Sequence, residues 1–385
     1  MNETRRILVL TLSFGSGHVQ AARTIAREVE REASEAEIRV VDALAECRLF
    51  FRAVYVWPYW AMVRYAPDLW ERFFKRRAIK MLAHTAPEWV FRWGCPLVFK
   101  TIAEFRPDTI VAAEVGASEM AVLAKRQGLT NARVINVITD YLPEPAWVQP
   151  EVDLYAVVNA EVRDQLSAWG APAPSIVKCG IPTDPQFRTH HDAIATRKLY
   201  GLNNVAPIVL LMGGGMGPTR MDEVAALLGE SRKRMQIVAV TGQDKHVRRR
   251  LARLRVRPHV SLKVLGWTDD VAALMQAATV LVTKPGGLTI SEATITAVPL
   301  VVFDPIPGPE QRNAARLVEA GAGLLTNGAQ ETASTVLSLL SNESARRKMS
   351  VSAARLGQPN AAEEIAHLVL YGRASSAGVR RRMTA

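Results

Sequence analysis

The chain has 385 residues, 49% of them hydrophobic and 22% charged, with 48 Lys and Arg against 37 Asp and Glu and a formal net charge of +11. That length exceeds one ordinary core, and that composition describes a globular chain and excludes a disordered one. The positive balance favours an anionic partner (nucleic acid, an anionic membrane surface or a phosphorylated substrate), while three scattered cysteines without a C-x-x-C pair suggest neither a zinc site nor a disulfide framework and fit a reducing cytoplasm.

Arg5 and Arg6 precede an apolar run at 7–12 that is too short for a signal-peptide core and leads into a Gly-rich turn, so it predicts a buried first strand. Residues 19–32 follow as a helix with Ala22, Ile25, Ala26 and Val29 on one face, and 38–41 as a second strand. Residues 48–104 contain five of the eight tryptophans and ten Lys or Arg against four acids. Strands at 109–113 and 133–138 flank a helix at 118–126. In the C-terminal half, strands are expected at 208–212, 236–240, 262–265, 280–283, 300–303 and 323–325, with a helix-length segment in each gap. No stretch of ~18 uncharged apolar residues predicts a spanning helix. The alternation predicts an α/β chain of two doubly wound, Rossmann-like domains, each a parallel sheet covered on both faces. Gly180, Pro182 and Pro185 punctuate the seam, giving an N-terminal domain over 1–180 and a C-terminal one over 181–359.

Ligands of open α/β sheets sit beyond the carboxyl ends of the strands, so the loops there carry the candidates. Ser13-Phe14-Gly15-Ser16-Gly17-His18 opens the first helix and lacks the Walker pattern; His18 is either a general base or a first-turn histidine satisfying a loop carbonyl. Gly213-Gly214-Gly215-Met216-Gly217 suits phosphate or sugar binding by backbone N–H groups. It departs from the nicotinamide fingerprint, because Pro218 takes the last glycine position and Thr241-Gly242-Gln243 stands where an acid is wanted. Thr283-Lys284-Pro285-Gly286-Gly287-Leu288-Thr289-Ile290-Ser291-Glu292 feeds two glycines into a helix, where amides converge on a phosphate and Glu292 can accept from both ribose hydroxyls. Thr289-x-x-Glu292 has capping-box spacing as well. In Pro305-Ile306-Pro307-Gly308-Pro309-Glu310-Gln311-Arg312-Asn313, Glu310 and Asn313 can hold sugar hydroxyls, or the acid can simply complement a helix dipole.

The Lys284–Glu292 and Pro305–Asn313 motifs, with Gly180-Ile181-Pro182, Phe187 and Gly15-x-Gly17-His18, make the chain resemble the glycosyltransferases that include the processive diacylglycerol glucosyltransferases and the monogalactosyldiacylglycerol synthases. The lipid II N-acetylglucosaminyltransferase is a more distant likeness. The resemblance implies a GT-B fold with an interdomain cleft, a UDP-sugar donor in the C-terminal domain, a lipid acceptor in the N-terminal one, and a last helix within 360–385 that packs back on the N-terminal domain. It implies hexose transfer with inversion, with Glu292 on the ribose, the amides of Gly286, Gly287, Leu288 and Thr289 on the diphosphate opposite Gly214 and Gly215, and the Gly266-Trp267 turn near the base. Glu310 and Asn313 would touch the sugar. His18 leads as catalytic base, with Glu114 and Asp140 behind it. No D-x-D occurs, so no metal or other cofactor is expected.

Three departures stand out. Pro309 occupies a position where many relatives have a sugar-contacting Gln. Glu114-Val115 replaces a His-Pro, and Pro143-Glu144-Pro145-Ala146-Trp147 follows Thr139-Asp140 in place of a Cys-His-Pro-x-Trp. On the acceptor side, Trp57, Trp60, Arg76, Arg77 and Trp147 are candidates for meeting lipid. Rings favour the headgroup level, basic side chains favour anionic lipid, and Arg52 and Pro58 argue for lying on the bilayer over crossing it. The expectation is a cytoplasmic protein peripheral on the inner face of the cell membrane, with a UDP-sugar, a lipid acceptor and an anionic membrane surface as partners and no nucleic acid. Two other classes stay open: a different UDP-sugar enzyme on the same fold, such as an epimerase, and a non-catalytic protein binding nucleotide or anionic lipid.

Overall fold

A computed structural model describes residues 4–79, 84–214 and 220–372. These fall into two compact units divided between Asp184 and Pro185; Pro307–Pro309 also group with the first, and the chain returns to it at Asn360. The seam thus lies four residues beyond the expected one.

In the first unit six strands pair in parallel: β1 (Arg6–Thr11), β2 (Glu37–Asp42), β3 (Thr109–Ala112), β4 (Arg133–Val137), β5 (Leu154–Val157) and β6 (Ile176–Lys178), in the order β2-β1-β3-β4-β5-β6. Ile7 to Leu10 are all buried, the continuous apolar run that a strand covered on both faces requires. The helix Ser16–Glu32 buries Ala21, Ala22, Ile25, Ala26 and Val29 at helical spacing. The last helix, Ala361–Tyr371, lays Ile365, Ala366 and Val369 into the same core. Arg5 donates to the Leu370 carbonyl at 2.8 Å and Arg133 to that of Val369, satisfying the helix's last acceptors. The helix is thereby part of the first unit.

Between β2 and β3 the chain inserts a helical layer: Leu49–Phe51, a π-helical turn Arg52–Val56, Trp57–Tyr65, Pro67–Ile79, Glu88–Gly94 and Pro96–Phe105. Gly94 is required there, because a Cβ would come within 2.6 Å of the Phe51 ring. No helix among the described residues is long and apolar enough to cross a membrane.

The second unit repeats the architecture with β7 (Ile208–Met212), β8 (Met235–Val240), β9 (Val260–Leu265), β10 (Val280–Thr283), β11 (Leu300–Phe303) and β12 (Gly323–Thr326), in the order β12-β11-β10-β7-β8-β9, all parallel. The order reverses between β1 and β3 in the first unit and between β7 and β10 in the second. A crevice opens at such switch points because the helices leave on opposite faces. The expected strands are all present. β5 and β6, of four and three residues, were not foreseen.

Candidate functional site

In the first unit the loops after β1, β3 and β4 lie side by side. His18 is in the first turn of the helix Ser16–Glu32, whose N-cap Gly15 makes no side-chain bond. Its Nδ1 lies 3.1 Å from the Ala113 carbonyl oxygen and 3.1 Å from Thr139 Oγ1. A carbonyl only accepts, so Nδ1 carries the proton and Nε2 of the neutral ring keeps its lone pair. This is the tautomer a general base needs. Satisfying the loop carbonyl and serving as a base are therefore compatible in one side chain.

Glu114 is the N-cap of the helix Val115–Arg126: one carboxylate oxygen accepts from Gly116 N at 2.7 Å and Ala117 N at 3.2 Å. Burial pushes its carboxyl up to about 8, against the pull of those two donors. As a buried cap it supports the helix, by about 1 kcal/mol in typical cases, and does not present itself to an acceptor. Asp140 is half-buried in the turn after β4. Trp147, expected to meet lipid, is 6% exposed, and its carbonyl accepts from the buried Asn136 amide at 3.1 Å. The strand residue pins that turn inward, so Trp147 belongs to the core.

The inserted helices root in the His18 loop through an aromatic cluster. Phe14 packs edge-on against Tyr55 and Tyr59, with ring centres 5.6 and 5.3 Å apart, and Tyr55 stacks on Phe51. The Tyr55 hydroxyl donates to Thr85 Oγ1 at 2.8 Å, and Thr85 donates through its hydroxyl and its N–H to the buried Glu119. Burial, together with Glu114 and Glu119, holds the Tyr55 hydroxyl well above the ordinary tyrosine range. Away from this root the layer is apolar toward solvent: Leu49, Trp57, Tyr65, Leu69 and Trp93 are each more than half exposed. Arg48, Arg64, Arg72, Arg76 and Arg92 are exposed among them, and Trp60 is half-buried. The side chain of Arg77 lies outside the described residues.

In the second unit the loops after β7, β10 and β11 adjoin. The helix Gly287–Ile295 starts from N-cap Gly286, which makes no side-chain cap bond. Its first intrahelical bond runs from Ile290 N to Gly286 O at 3.0 Å, so the amides of Gly287, Leu288 and Thr289 have no partner inside the helix and converge at its positive end. Thr289 is thus inside the first turn and not at the N-cap, and the capping box with Glu292 does not form. Glu292 is half-buried one turn further on. A Cβ on Gly15 or on Gly286 would meet nothing within 4 Å, so packing inside the protein does not call for glycine at either place. Both positions leave the backbone open to close approach from outside.

Asn313 is fully buried and donates to the Pro285 carbonyl at 3.0 Å, while Glu310 accepts from Ile306 N at 2.7 Å. Both were expected on the sugar. The structure gives Asn313 the part of a clamp between two loops, which leaves it no surface for a ligand. Gly214 adopts φ +73° at the end of β7, and Gly215 lies outside the described residues. The Gly266-Trp267 turn follows β9, two strands from the switch point, with the Trp267 ring half exposed. Three residues were not singled out from sequence: Thr139 as the orienting partner of His18, Glu119, and Lys284. Lys284 is 7% exposed; burial pushes its ammonium below the ordinary lysine range, opposed by Glu310 and Asp304. A lysine in a motif of small residues was the available signal.

Comparison with known proteins follows the two halves. Residues 18–183 match the family model of monogalactosyldiacylglycerol (MGDG) synthase, and residues 208–367 that of the glycosyltransferase family 28 C-terminal domain. A curated relative, the processive diacylglycerol beta-glucosyltransferase of Bacillus subtilis (strain 168), is 28% identical over 374 residues, covering 96% of each chain. Among solved structures, MurG of Acinetobacter baumannii is similar with a TM-score of 0.62 at 15% identity, over 95% of this chain and 99% of that one. The UDP-GlcNAc 2-epimerase of Neisseria meningitidis, bound to UDP-GlcNAc, gives 0.60 at 13%, over 95% and 99%. Likeness at those identities shows a shared fold and leaves transferases and epimerases undivided; the division comes from the two family models.

Proposed function

The chain belongs to the glycosyltransferases that join an MGDG synthase domain to a family 28 C-terminal domain, and from that premise we propose that it moves a hexose from a UDP-sugar to the hydroxyl of a membrane lipid such as diacylglycerol, inverting the anomeric carbon. The enzyme class, a UDP-sugar-dependent transferase acting on a lipid, rests on the match along the whole chain. The observation that carries the chemistry is the 3.1 Å contact of His18 Nδ1 with Ala113 O, which favours the Nδ1–H tautomer and leaves Nε2 as acceptor. In the proposed reaction the acceptor oxygen gives its proton to Nε2 and forms the new bond to the anomeric carbon. The bond from that carbon to the diphosphate breaks, and UDP leaves with the electron pair. The amides of Gly287, Leu288 and Thr289 stabilise the departing charge. Glu292 holds the ribose.

The test is transfer of labelled hexose from UDP-glucose or UDP-galactose to diacylglycerol in vesicles, read by mass spectrometry with and without excess EDTA. Glycolipid is expected at a similar rate in both arms, because no D-x-D is present to hold a divalent ion at the diphosphate. Loss with EDTA and recovery with Mg²⁺ or Mn²⁺ would show that an ion is required. Conversion of the nucleotide-sugar to its 2-epimer without glycolipid would favour the epimerase reading.

The exposed tryptophans and arginines of the inserted layer support a peripheral position on the inner face of the cell membrane, lying on an anionic surface. Flotation with phosphatidylglycerol vesicles is expected at low salt and should weaken as salt rises. Replacing Trp57 and Trp60 by Ala, or separately Arg72 and Arg76 by Ser, should each weaken flotation and leave UDP binding intact. A parent chain that stays unbound at low salt, or variants that float as well as it does, would put the lipid contact elsewhere.

A further inference from the structure

We propose that Lys284 is the fixed cation for the donor's diphosphate, supplying from the protein the positive charge that other transferases take from a divalent ion. The inference rests on the reading of the second unit as the donor half and adds a residue to it. Lys284 directly follows β10, one residue beyond Thr283, which pairs with Met212 of β7 on one side and Val302 of β11 on the other. It therefore stands at the carboxyl end of the strand that borders the switch point, three residues before the helix whose first amides are unpartnered. It continues the alternation of Val280 and Val282, which face the core shared with Val209 and Leu211 of β7. The chain leaves β7 through Gly213 and Gly214 beside it.

What singles this side chain out is its burial without a mate. It is 7% exposed, and among the described residues its ammonium makes no hydrogen bond and no ion pair. The carboxylates that attract it are engaged with other groups. Asp304 is held by Arg220 in a two-pronged pair, with Arg220 Nε donating at 2.7 Å, and Glu310 accepts from Ile306 N. Asp304 holds a left-handed backbone at φ +49°, a conformation costly for a non-glycine residue and concentrated at binding sites. A largely buried lysine with no direct acceptor from the protein weakens a fold; a nearby diphosphate would supply one.

The competing role is a structural counter-ion for Asp304 and Glu310. Calorimetric titration of the full chain with UDP and with uridine separates the two, alongside the thermal midpoint of the unliganded protein. For Lys284→Met, and for Lys284→Gln as a polar control on folding, UDP affinity should fall by roughly tenfold or more while uridine affinity changes less than about twofold, since only the phosphates lose a partner. The unliganded midpoint should stay or rise. Two results would overturn the proposal: unchanged UDP affinity in both variants, or parallel loss of UDP and uridine binding with a lowered midpoint. A parent that binds no UDP would remove the donor reading and this one with it, whereas a parent that binds UDP no better than the variants removes this one alone.

Discussion

Replacing His18 by Ala is expected to lower turnover by roughly 10²–10⁴-fold, the usual contribution of a positioned general base, with UDP affinity nearly unchanged. The expectation follows from the position of the ring. The Ala113 carbonyl fixes which nitrogen carries the proton, Thr139 Oγ1 lies at the same nitrogen, and the helix N-terminus behind it supplies no competing carboxylate. Thr139→Val should cost much less, because the carbonyl still orients the ring. Steady-state kinetics with a lipid acceptor, set beside UDP titration, reads both variants. A His18→Ala enzyme that keeps more than a tenth of parental turnover would move the base to Asp140, which follows Thr139 in the loop after β4. Glu114 is a weaker successor, since its carboxylate is buried and occupied by Gly116 and Ala117.

The second large effect is expected for Glu292→Ala. Losing a carboxylate that accepts from two ribose hydroxyls should cost about 1.5–3 kcal/mol of UDP binding, or about 10–150-fold in affinity. Had Glu292 closed a capping box, the same substitution would weaken the helix and blur the result. The helix begins at Gly287, the cap is a glycine without a side-chain bond, and Thr289 lies inside the first turn. UDP should therefore give the variant much less thermal protection than it gives the parent. Parental UDP affinity in the variant would show that the carboxylate is not on the ribose.

These two residues mark where local sequence stops being informative. Runs such as 7–10 and 280–282 are apolar at every position, and a run of that kind between Gly-rich turns has few folds open to it: a strand covered on both faces. That is why the parallel architecture, the helix faces and the loops at the strand ends could be read directly. β5 and β6 escaped because only pairing across the sheet marks them: β5 lies along Ile135, Asn136 and Val137 of β4, and β6 lies in turn along Tyr155, Ala156 and Val157 of β5.

The spacing of Glu292 fitted a cap as well as a ribose ligand, and the register of the helix start decided against the cap. His18 lay in a recognisable loop, yet its tautomer depends on partners 95 and 121 residues away. Trp147 looked like an interfacial tryptophan until Asn136, in the middle of β4, drew its turn into the core. Asn313 looked like a sugar ligand until the adjacency of β10 and β11 set it against Pro285. Sequence by itself determined periodicity, turn chemistry and the residue types at each strand end, because those are properties of neighbours along the chain. The sheet order alone decided which side chains meet, which are sealed and which, like Lys284, are buried with a charge still to be matched, because partners across a parallel sheet are chosen by topology and not by spacing.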